Sequence, residues 1–168
     1  MAHLFVSWSD YHRTLERLAG AIYNSDWRFD HIVAVGRGGM RVGDVLSRLY
    51  RTPLAVLHSR SARADKRGEV SLSEHLAILE EKLGQRVLLV DDFVDSGATL
   101  SSAKRRLERE CAAVRTAVLW LREGADFEPD YYVEVVAGDC QIHHPVEPYD
   151  LSNIAELGKR SAMETTTT

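Results

Sequence analysis

Hydrophobic residues along this chain follow two alternating patterns, one typical of buried strands and one typical of amphipathic helices. The clearest strand is the run from Val87 to Val90, whose apolar residues are bounded by polar ones, which indicates a strand buried on both faces. Apolar or branched runs predict further strands over residues 31–35, 53–57, 117–121 and 131–136. Helical spacing predicts helices over residues 10–24, 40–49, 74–83 and 98–110. This alternation indicates a parallel sheet with helices on both faces.

The composition adds limits on size, partners and compartment. A chain of 168 residues is expected to form one domain, 1–168, with a frayed tail at about 161–168. The net charge of −4 provides no global basic field, so no nucleic acid partner is expected. Cys111 and Cys140 form neither a metal-ligand spacing nor a disulfide framework, which favours the reducing cytoplasm. The sequence shows no secretory signal and no membrane-spanning stretch, so no membrane association is expected.

A small, acidic, hydroxyl-bearing segment follows the strand at 87–90. Asp91 and Asp92 come at the carboxyl end of that strand, where open α/β sheets bind ligands, and adjacent carboxylates can accept hydrogen bonds from ribose hydroxyls. Residues 95–99, with the sequence DSGAT, are small enough for backbone N–H groups to converge on an anion. The predicted helix that follows directs its positive end toward the same anion. The segment therefore predicts a sugar-phosphate site.

A glycine-rich turn ends the strand predicted at 31–35. Gly36, Gly38 and Gly39 allow positive φ and close backbone approach. Arg37 offers a planar, permanently charged set of donors for phosphate oxygens. A turn of this kind is as typical of a structural turn as of an anion site when it is taken alone.

Two segments resemble one family of enzymes. VLLVDDFVDSGATL, residues 87–100, resembles the phosphoribosyl pyrophosphate (PRPP) motif of the type I phosphoribosyltransferases, and VAVGRGGM, residues 33–40, resembles their pyrophosphate loop. The similarity extends over about residues 4–150 and is greatest to the xanthine/guanine/hypoxanthine branch, whose substrates are 6-oxopurines. The resemblance implies an α/β fold with a Rossmann-like, mainly parallel sheet flanked by helices, a small hood and a flexible lid loop. It also implies a homo-oligomer, either a dimer or a tetramer.

The resemblance further implies the reaction, which is transfer of the 5-phosphoribosyl group from PRPP to guanine, xanthine or hypoxanthine with release of pyrophosphate. Mg²⁺ is the expected cofactor, with Asp91 and Asp92 as its ligands, directly or through water. Asp95 is the expected general base for the ring N–H of the incoming purine. The residues expected to bind PRPP are Arg37, Gly38, Gly39, Asp91, Asp92, Asp95, Ser96, Gly97, Ala98 and Thr99.

The residues expected to contact the purine base depart from the family pattern. Arg122 stands where relatives carry a lysine that reaches the 6-oxo group, and its rigid guanidinium can still donate to a carbonyl oxygen. Gln141 and Ile142 stand where relatives carry an aromatic residue followed by isoleucine, so Gln141 offers no aromatic face for stacking. This departure keeps two other functions open. One is a PRPP-binding regulator with an RNA, DNA or protein partner, and the other is a phosphoribosyltransferase for a non-purine base.

Two polar clusters complete the sequence-based expectations. The loop at 59–72 contains a basic cluster, Arg60, Arg63, Lys66 and Arg67, and the resemblance gives this loop the role of the lid that closes over the active site. The adjacent pair His143 and His144 lacks the cysteine or spaced acidic partner of a zinc site, which favours a polar rim over a metal site.

Overall fold

Strands and helices alternate along the chain, and a computed structural model describes them for residues 2–61, 70–73, 76–77 and 82–165. The strands are β1 (His3–Phe5), β2 (His31–Gly36), β3 (Leu54–Ser61), β4 (Val70–Leu72), β5 (Arg86–Val90), β6 (Phe93–Val94), β7 (Ala113–Ala117), β8 (Trp120–Arg122), β9 (Glu134–Val136) and β10 (Gln141–His143). The helices are α1 (Trp8–Asn24), α2 (Gly39–Tyr50), α3 (Ala98–Leu107), α4 (Glu147–Leu151) and α5 (Ile154–Thr165). The mixed α/β class expected from the pattern is confirmed.

The chain groups into two compact units, a larger one of residues 12–138 and a smaller one of residues 1–11 with 139–168. The larger unit contains a five-stranded sheet in the order β4-β3-β2-β5-β7, parallel except for the antiparallel β3–β4 pair. It also contains a parallel three-stranded sheet in the order β6-β8-β9. In the smaller unit, β1 pairs with β10 in parallel.

Helices cover both faces of the five-stranded sheet because side chains alternate between the faces along each strand. Val33 and Val35 of β2 belong to the apolar cluster that includes Leu100 of α3. Ala34 points to the other face, where α2 approaches so closely that a Cβ on Gly43 would lie 2.8 Å from the Ala34 Cβ. The strand residues are buried throughout β2 and from Val87 to Val90 of β5, as expected for central parallel strands.

The single strand predicted at 117–121 is wrong in its bounds, because the chain changes sheets there. β7 ends at Ala117, and the backbone N–H groups of Leu119 and Trp120 both donate to the carbonyl oxygen of Asp92, at 3.1 and 3.2 Å. These bonds direct residues 120–122 to β6 instead of β5. The strand predicted at 131–136 is also wrong at its start. Tyr131 forms only an isolated bridge with Ala117, and the observed strand, β9, begins at Glu134.

The segment between β3 and β5 also differs from its prediction. Residues 59–61 continue β3 and pair with β4, so both ends of the predicted 59–72 loop are strands. Ala77 exchanges two backbone hydrogen bonds of 3.0 Å with Val56, which is incompatible with the predicted helix at 74–83 at this position. The remainder of that helix, apart from residues 76–77 and 82–83, and residues 62–69 of the expected lid lie outside the described residues.

Helix ends differ from the predictions by a few residues. α3 ends at Leu107 instead of Glu110, because the backbone N–H groups of Arg109 and Glu110 donate to carbonyl oxygens only three residues earlier, at Arg106 and Leu107. α5 continues to Thr165, within the segment predicted to be a tail. None of the helices in the described ranges has the length and apolar character needed to cross a membrane.

Candidate active site

The acid pair and the glycine turn lie against each other at the carboxyl ends of two neighbouring strands. β2 and β5 pair in parallel, with Ala34 opposite Val90, so the residues that follow both strands emerge at the same edge of the sheet. A Cβ built on Gly38 would lie 2.9 Å from Oδ1 of Asp91 and would also contact Asp92. The sequence-predicted phosphate turn and ribose acids therefore form one site.

Glycine is required in this turn for space and not for backbone conformation, which corrects the expectation of positive φ. The described glycines with positive φ are Gly97 and Gly124, and Gly38 has a φ of −55°. A Cβ on Gly39 would lie 3.0 Å from the Asp91 Cα and closer still to the Val90 carbonyl oxygen. The peptide bond between Gly36 and Arg37 is cis, and Arg37 is exposed.

Asp91 is the most perturbed carboxyl group of the site. Burial, and then the neighbouring charge of Asp92, raise the pKa of Asp91 well above its ordinary value, although N–H groups of Asp92 and Gly39 donate to it. The Asp92 backbone N–H lies 3.0 Å from Oδ1 of Asp91. The side chain of Asp92 also hydrogen-bonds to Asp91, and two carboxyl groups that interact in this way favour a shared proton or a bound cation.

The loop at 95–99 has the form of an anion site. Gly97 has a φ of +87°, and a Cβ there would lie 3.2 Å from the backbone nitrogen of Phe127, so both conformation and space demand glycine. Gly97 is the residue preceding α3, whose first turn contains no acidic residue. Asp95 and Ser96 are exposed, so the loop presents the positive end of α3 together with the Ser96 hydroxyl, which accepts from the Ala98 N–H at 3.4 Å.

Asp95 and Arg122 meet through the pairing of two short strands. β6 and β8 are parallel, with Phe93 opposite Trp120 and Val94 opposite Leu121, so the next residues along each strand are Asp95 and Arg122. Nε of Arg122 donates to Oδ1 of Asp95 in a salt bridge. The Asp95 side chain is 69% exposed and the Arg122 side chain 22% exposed, so the acid is open to a ligand while the arginine is held in place.

Phe93 is a site residue that the sequence analysis missed. Its ring lies beneath the Arg122 guanidinium, and the distance from Cζ to the ring centroid is 5.1 Å. Phe93 is half-buried, and in the sequence it stands between the acid pair and Asp95. Arg122 also donates from Nη1 to the carbonyl oxygen of Gly138, at 3.2 Å. An aromatic residue directly after two acids at a strand end is the signal in the sequence that could have identified this residue.

Gln141 and Ile142, the other two residues expected at the base, belong to β10 of the smaller unit. Gln141 is exposed, whereas Ile142 is buried opposite Leu4 of β1. In the same strand, the His143 side chain forms hydrogen bonds of 3.0 Å with the side chains of His3 and Glu147. The described residues contain no group of three or more histidine, cysteine, aspartate or glutamate side chains arranged to hold a metal ion.

The donor set of Asp91 and Asp92 fits a Mg²⁺ ion in the manner that this ion prefers. Mg²⁺ takes one or two protein carboxylates and completes its coordination with water and substrate phosphates. Burial first, and then the charge of Asp92, raise the pKa of Asp91, and a divalent cation bound there would stabilise its charged form.

Comparisons with known proteins agree with this geometry. The phosphoribosyl transferase domain family matches residues 7–152. Xanthine-guanine phosphoribosyltransferase from Idiomarina loihiensis is 27% identical over 143 residues, which are 84% of each chain. Hypoxanthine/guanine phosphoribosyltransferase from Methanothrix thermoacetophila is 31% identical over 111 residues, 62% of this chain and 57% of that protein.

A solved structure gives the same result for the fold. Purine phosphoribosyltransferase from Pyrococcus horikoshii superposes with a TM-score of 0.71 and 25% identity, covering 86% of this chain and 93% of that protein. The family match includes both the glycine turn at 36–39 and the loop at 95–99. This chain therefore belongs to the phosphoribosyl transferase domain family and is a phosphoribosyltransferase.

Proposed function

We propose that this protein transfers the 5-phosphoribosyl group of PRPP to a 6-oxopurine base, namely guanine, xanthine or hypoxanthine, and thereby serves purine salvage. The observation that carries the proposal is the contact between Asp95 and Arg122 beside the anion loop. A carboxylate and a guanidinium at adjacent positions match a ring N–H and a carbonyl oxygen on one edge of a 6-oxopurine. The relatives from Idiomarina and Methanothrix, named for xanthine, guanine and hypoxanthine, support the same substrate class.

The donor side of the site suits each group of PRPP. The 95–99 loop, at the positive end of α3, is suited to the 5′-phosphate. Gly38 and Gly39 leave room for pyrophosphate beside the acids, and the exposed Arg37 supplies positive charge. Asp91 and Asp92 would accept hydrogen bonds from the ribose hydroxyls. Asp91 and Asp92 would also hold Mg²⁺, directly or through water, and the bound ion would neutralise negative charge on pyrophosphate.

The chemical step exchanges one bond at C1 of the ribose for another. The bond between C1 and the pyrophosphate oxygen breaks, and its electron pair leaves with pyrophosphate. The ring nitrogen N9 of the purine forms the new bond to C1, and the proton on the other imidazole nitrogen, N7, which shares an edge with the 6-oxo group, passes to the carboxylate of Asp95. Arg122 fixes the position of that carboxylate and donates to the 6-oxo group of the base.

The acceptor side has a source of aromatic surface other than residue 141. Phe93 lies under Arg122 and is half-buried, so the exposed part of its ring would contact a planar base bound by Asp95 and Arg122. Contacts from Gln141 and Ile142 to the base remain predictions. A homo-oligomer and a cytoplasmic location also remain predictions.

Activity with a panel of bases tests the proposal. The purified protein is incubated with PRPP, Mg²⁺ and, separately, guanine, xanthine, hypoxanthine, adenine, uracil and orotate, and nucleoside monophosphate is measured. We expect product with at least one 6-oxopurine and little with adenine or the pyrimidines. If the protein binds PRPP but forms no product with any 6-oxopurine, the proposal is refuted. If product forms with a pyrimidine alone, the protein is a phosphoribosyltransferase for a non-purine base.

A further inference from the structure

The basic end of helix α3 lines a concavity that the proposed reaction does not use. Its volume is about 630 Å³, and it lies within the larger unit. The guanidinium of Arg106 donates to the carbonyl oxygen of Ser73, the residue that follows β4, and this hydrogen bond holds the arginine side chain in place. The concavity, called the arginine pocket below, is lined by Leu72, Ser73, Ser102, Arg105, Arg106, Arg109 and Glu110.

Two arginines of this pocket differ in their charge partners from several other arginines of the described residues. Several arginines in the described part of the chain form salt bridges with carboxylates. Such pairs are Arg17–Glu134, Arg48–Asp44 and Arg122–Asp95. Within the same described residues, no salt bridge joins Arg105 or Arg109 to a carboxylate, and both side chains belong to exposed residues. Among the described residues that line the pocket, three carry a positive charge and one, Glu110, carries a negative charge.

Stabilisation of the helix explains only part of this arrangement. Basic residues in the last turn of a helix interact favourably with its dipole, which accounts for Lys104, Arg105 and Arg106. Lys104 also pairs with Asp130 at 3.4 Å. Arg109, however, follows the end of α3, and a dipole interaction requires neither a concavity nor the Ser102 hydroxyl, which lies 3.3 Å from Nη2 of Arg105.

We propose that the arginine pocket binds the phosphate groups of a small, nucleotide-sized ligand at a site separate from the 95–99 loop. Guanidinium groups bind phosphate through paired N–H donors, and serine hydroxyls add further hydrogen bonds. The volume lies within the range of about 300 to 1,000 Å³ typical of small-molecule sites. A ligand there contacts the C-terminal end of the same helix whose N-terminus adjoins the anion loop.

The proposal is tested by titrating the full-length protein with GTP and following backbone amide NMR signals, with guanosine as the phosphate-free control. We expect saturable shifts at residues 102–110 with GTP and none with guanosine. Arg105→Ala and Arg109→Ala should each weaken this binding about tenfold or more, because each removes a charged donor to phosphate. Arg48→Ala, which removes an exposed helical arginine outside the pocket, should change it less than twofold. Thermal unfolding checks that each variant is folded.

Several outcomes would overturn this proposal. GTP shifts confined to residues 36–39 and 95–99 would assign the binding to the active site. If guanosine binds as tightly as GTP, or if both arginine variants bind GTP as tightly as the wild type, the pocket does not recognise phosphate. Shifts at 102–110 caused by a single-stranded RNA 12-mer but not by GTP would assign the surface to a polymer instead. None of these readouts depends on transferase activity, so failure here is distinguishable from failure of the proposed function.

Discussion

Nε of Arg122 donates a hydrogen bond to Oδ1 of Asp95, which joins two side chains that are 27 positions apart in the sequence. The parallel pairing of β6 and β8 creates this contact, because it places the residues that follow Val94 and Leu121 side by side. Asp95 was expected to accept the ring proton of the purine, and Arg122 was expected to donate to its 6-oxo group. Their contact means that substitution of either one changes the environment of the other.

Replacement of Asp95 by asparagine should lower turnover at least tenfold while PRPP binding is largely retained. Asparagine keeps the size of the side chain but cannot take the ring proton, and such proton transfer typically contributes about 10² to 10⁴ in rate. Single-turnover kinetics and PRPP titration measure the two properties separately. Asp126→Asn, at an exposed acid near the same loop, is the matched control and should retain turnover. Unchanged turnover in Asp95→Asn would remove this residue from the base role.

Replacement of Arg122 should act on the purine more than on PRPP. We expect Arg122→Met to raise the KM for the base about tenfold or more, because a hydrogen bond to a charged group contributes about 1.5–3 kcal/mol. Arg122→Lys, which restores a positive charge, should recover part of this loss. The KM for PRPP should change less than threefold in both variants. An increase confined to the KM for PRPP would place Arg122 at the donor side instead.

Substitutions of two glycines should have opposite effects on stability. Gly39→Ala places a Cβ against the Val90 carbonyl and 3.0 Å from the Asp91 Cα, which should destabilise the fold by about 1–3 kcal/mol and weaken PRPP binding. Gly20→Ala lies in α1 with no atom within 4 Å of the new Cβ, so it should stabilise the fold by up to about 1 kcal/mol. Urea denaturation measures both. Wild-type PRPP affinity in Gly39→Ala would show that the turn tolerates a side chain.

The raised pKa of Asp91 predicts a pH-dependent gain in stability for Asp91→Asn. Below the unfolded pKa of about 3.9, Asp91 is protonated in both states and the two proteins should be equally stable. Between the unfolded pKa and the raised folded pKa, the unfolded chain binds fewer protons than the folded one. The free energy of unfolding of the wild type therefore falls as pH rises, and the loss is complete above the folded pKa. Asparagine cannot ionise and avoids this loss.

Thermal unfolding between pH 3 and pH 8 measures the difference between the two proteins. We expect the Tm of Asp91→Asn to exceed that of the wild type increasingly as pH rises, while PRPP binding is lost. Asp44→Asn, at an acid paired with Arg48 outside the site, should give no such gain. A gap that is constant with pH, or that favours the wild type at pH 8, would contradict the prediction.

The sequence by itself determined the features that depend on neighbouring residues. Val87 to Val90 is a buried strand, the acids follow it directly, and α3 begins at Ala98 within the anion loop, because strand, loop and helix start are all specified within a short segment. Glycine at 36, 38 and 39 was also identified, with positive φ and close backbone approach as the two reasons. The structure shows close approach, of Gly38 to Asp91 and of Gly39 to Val90, and no positive φ at these positions. Such an approach depends on a strand that is distant along the chain.

Only the tertiary structure decided the features that depend on strand register and long-range hydrogen bonds. The pairing of Asp95 with Arg122 follows from the alignment of β6 with β8, which no local pattern specifies. The division of residues 113–122 into two strands follows from donation by two N–H groups to the Asp92 carbonyl oxygen. The bridge between Ala77 and Val56 likewise overrides a helical pattern. In each case the deciding partner lies far away in sequence, and only folding of the chain brings it within hydrogen-bond distance.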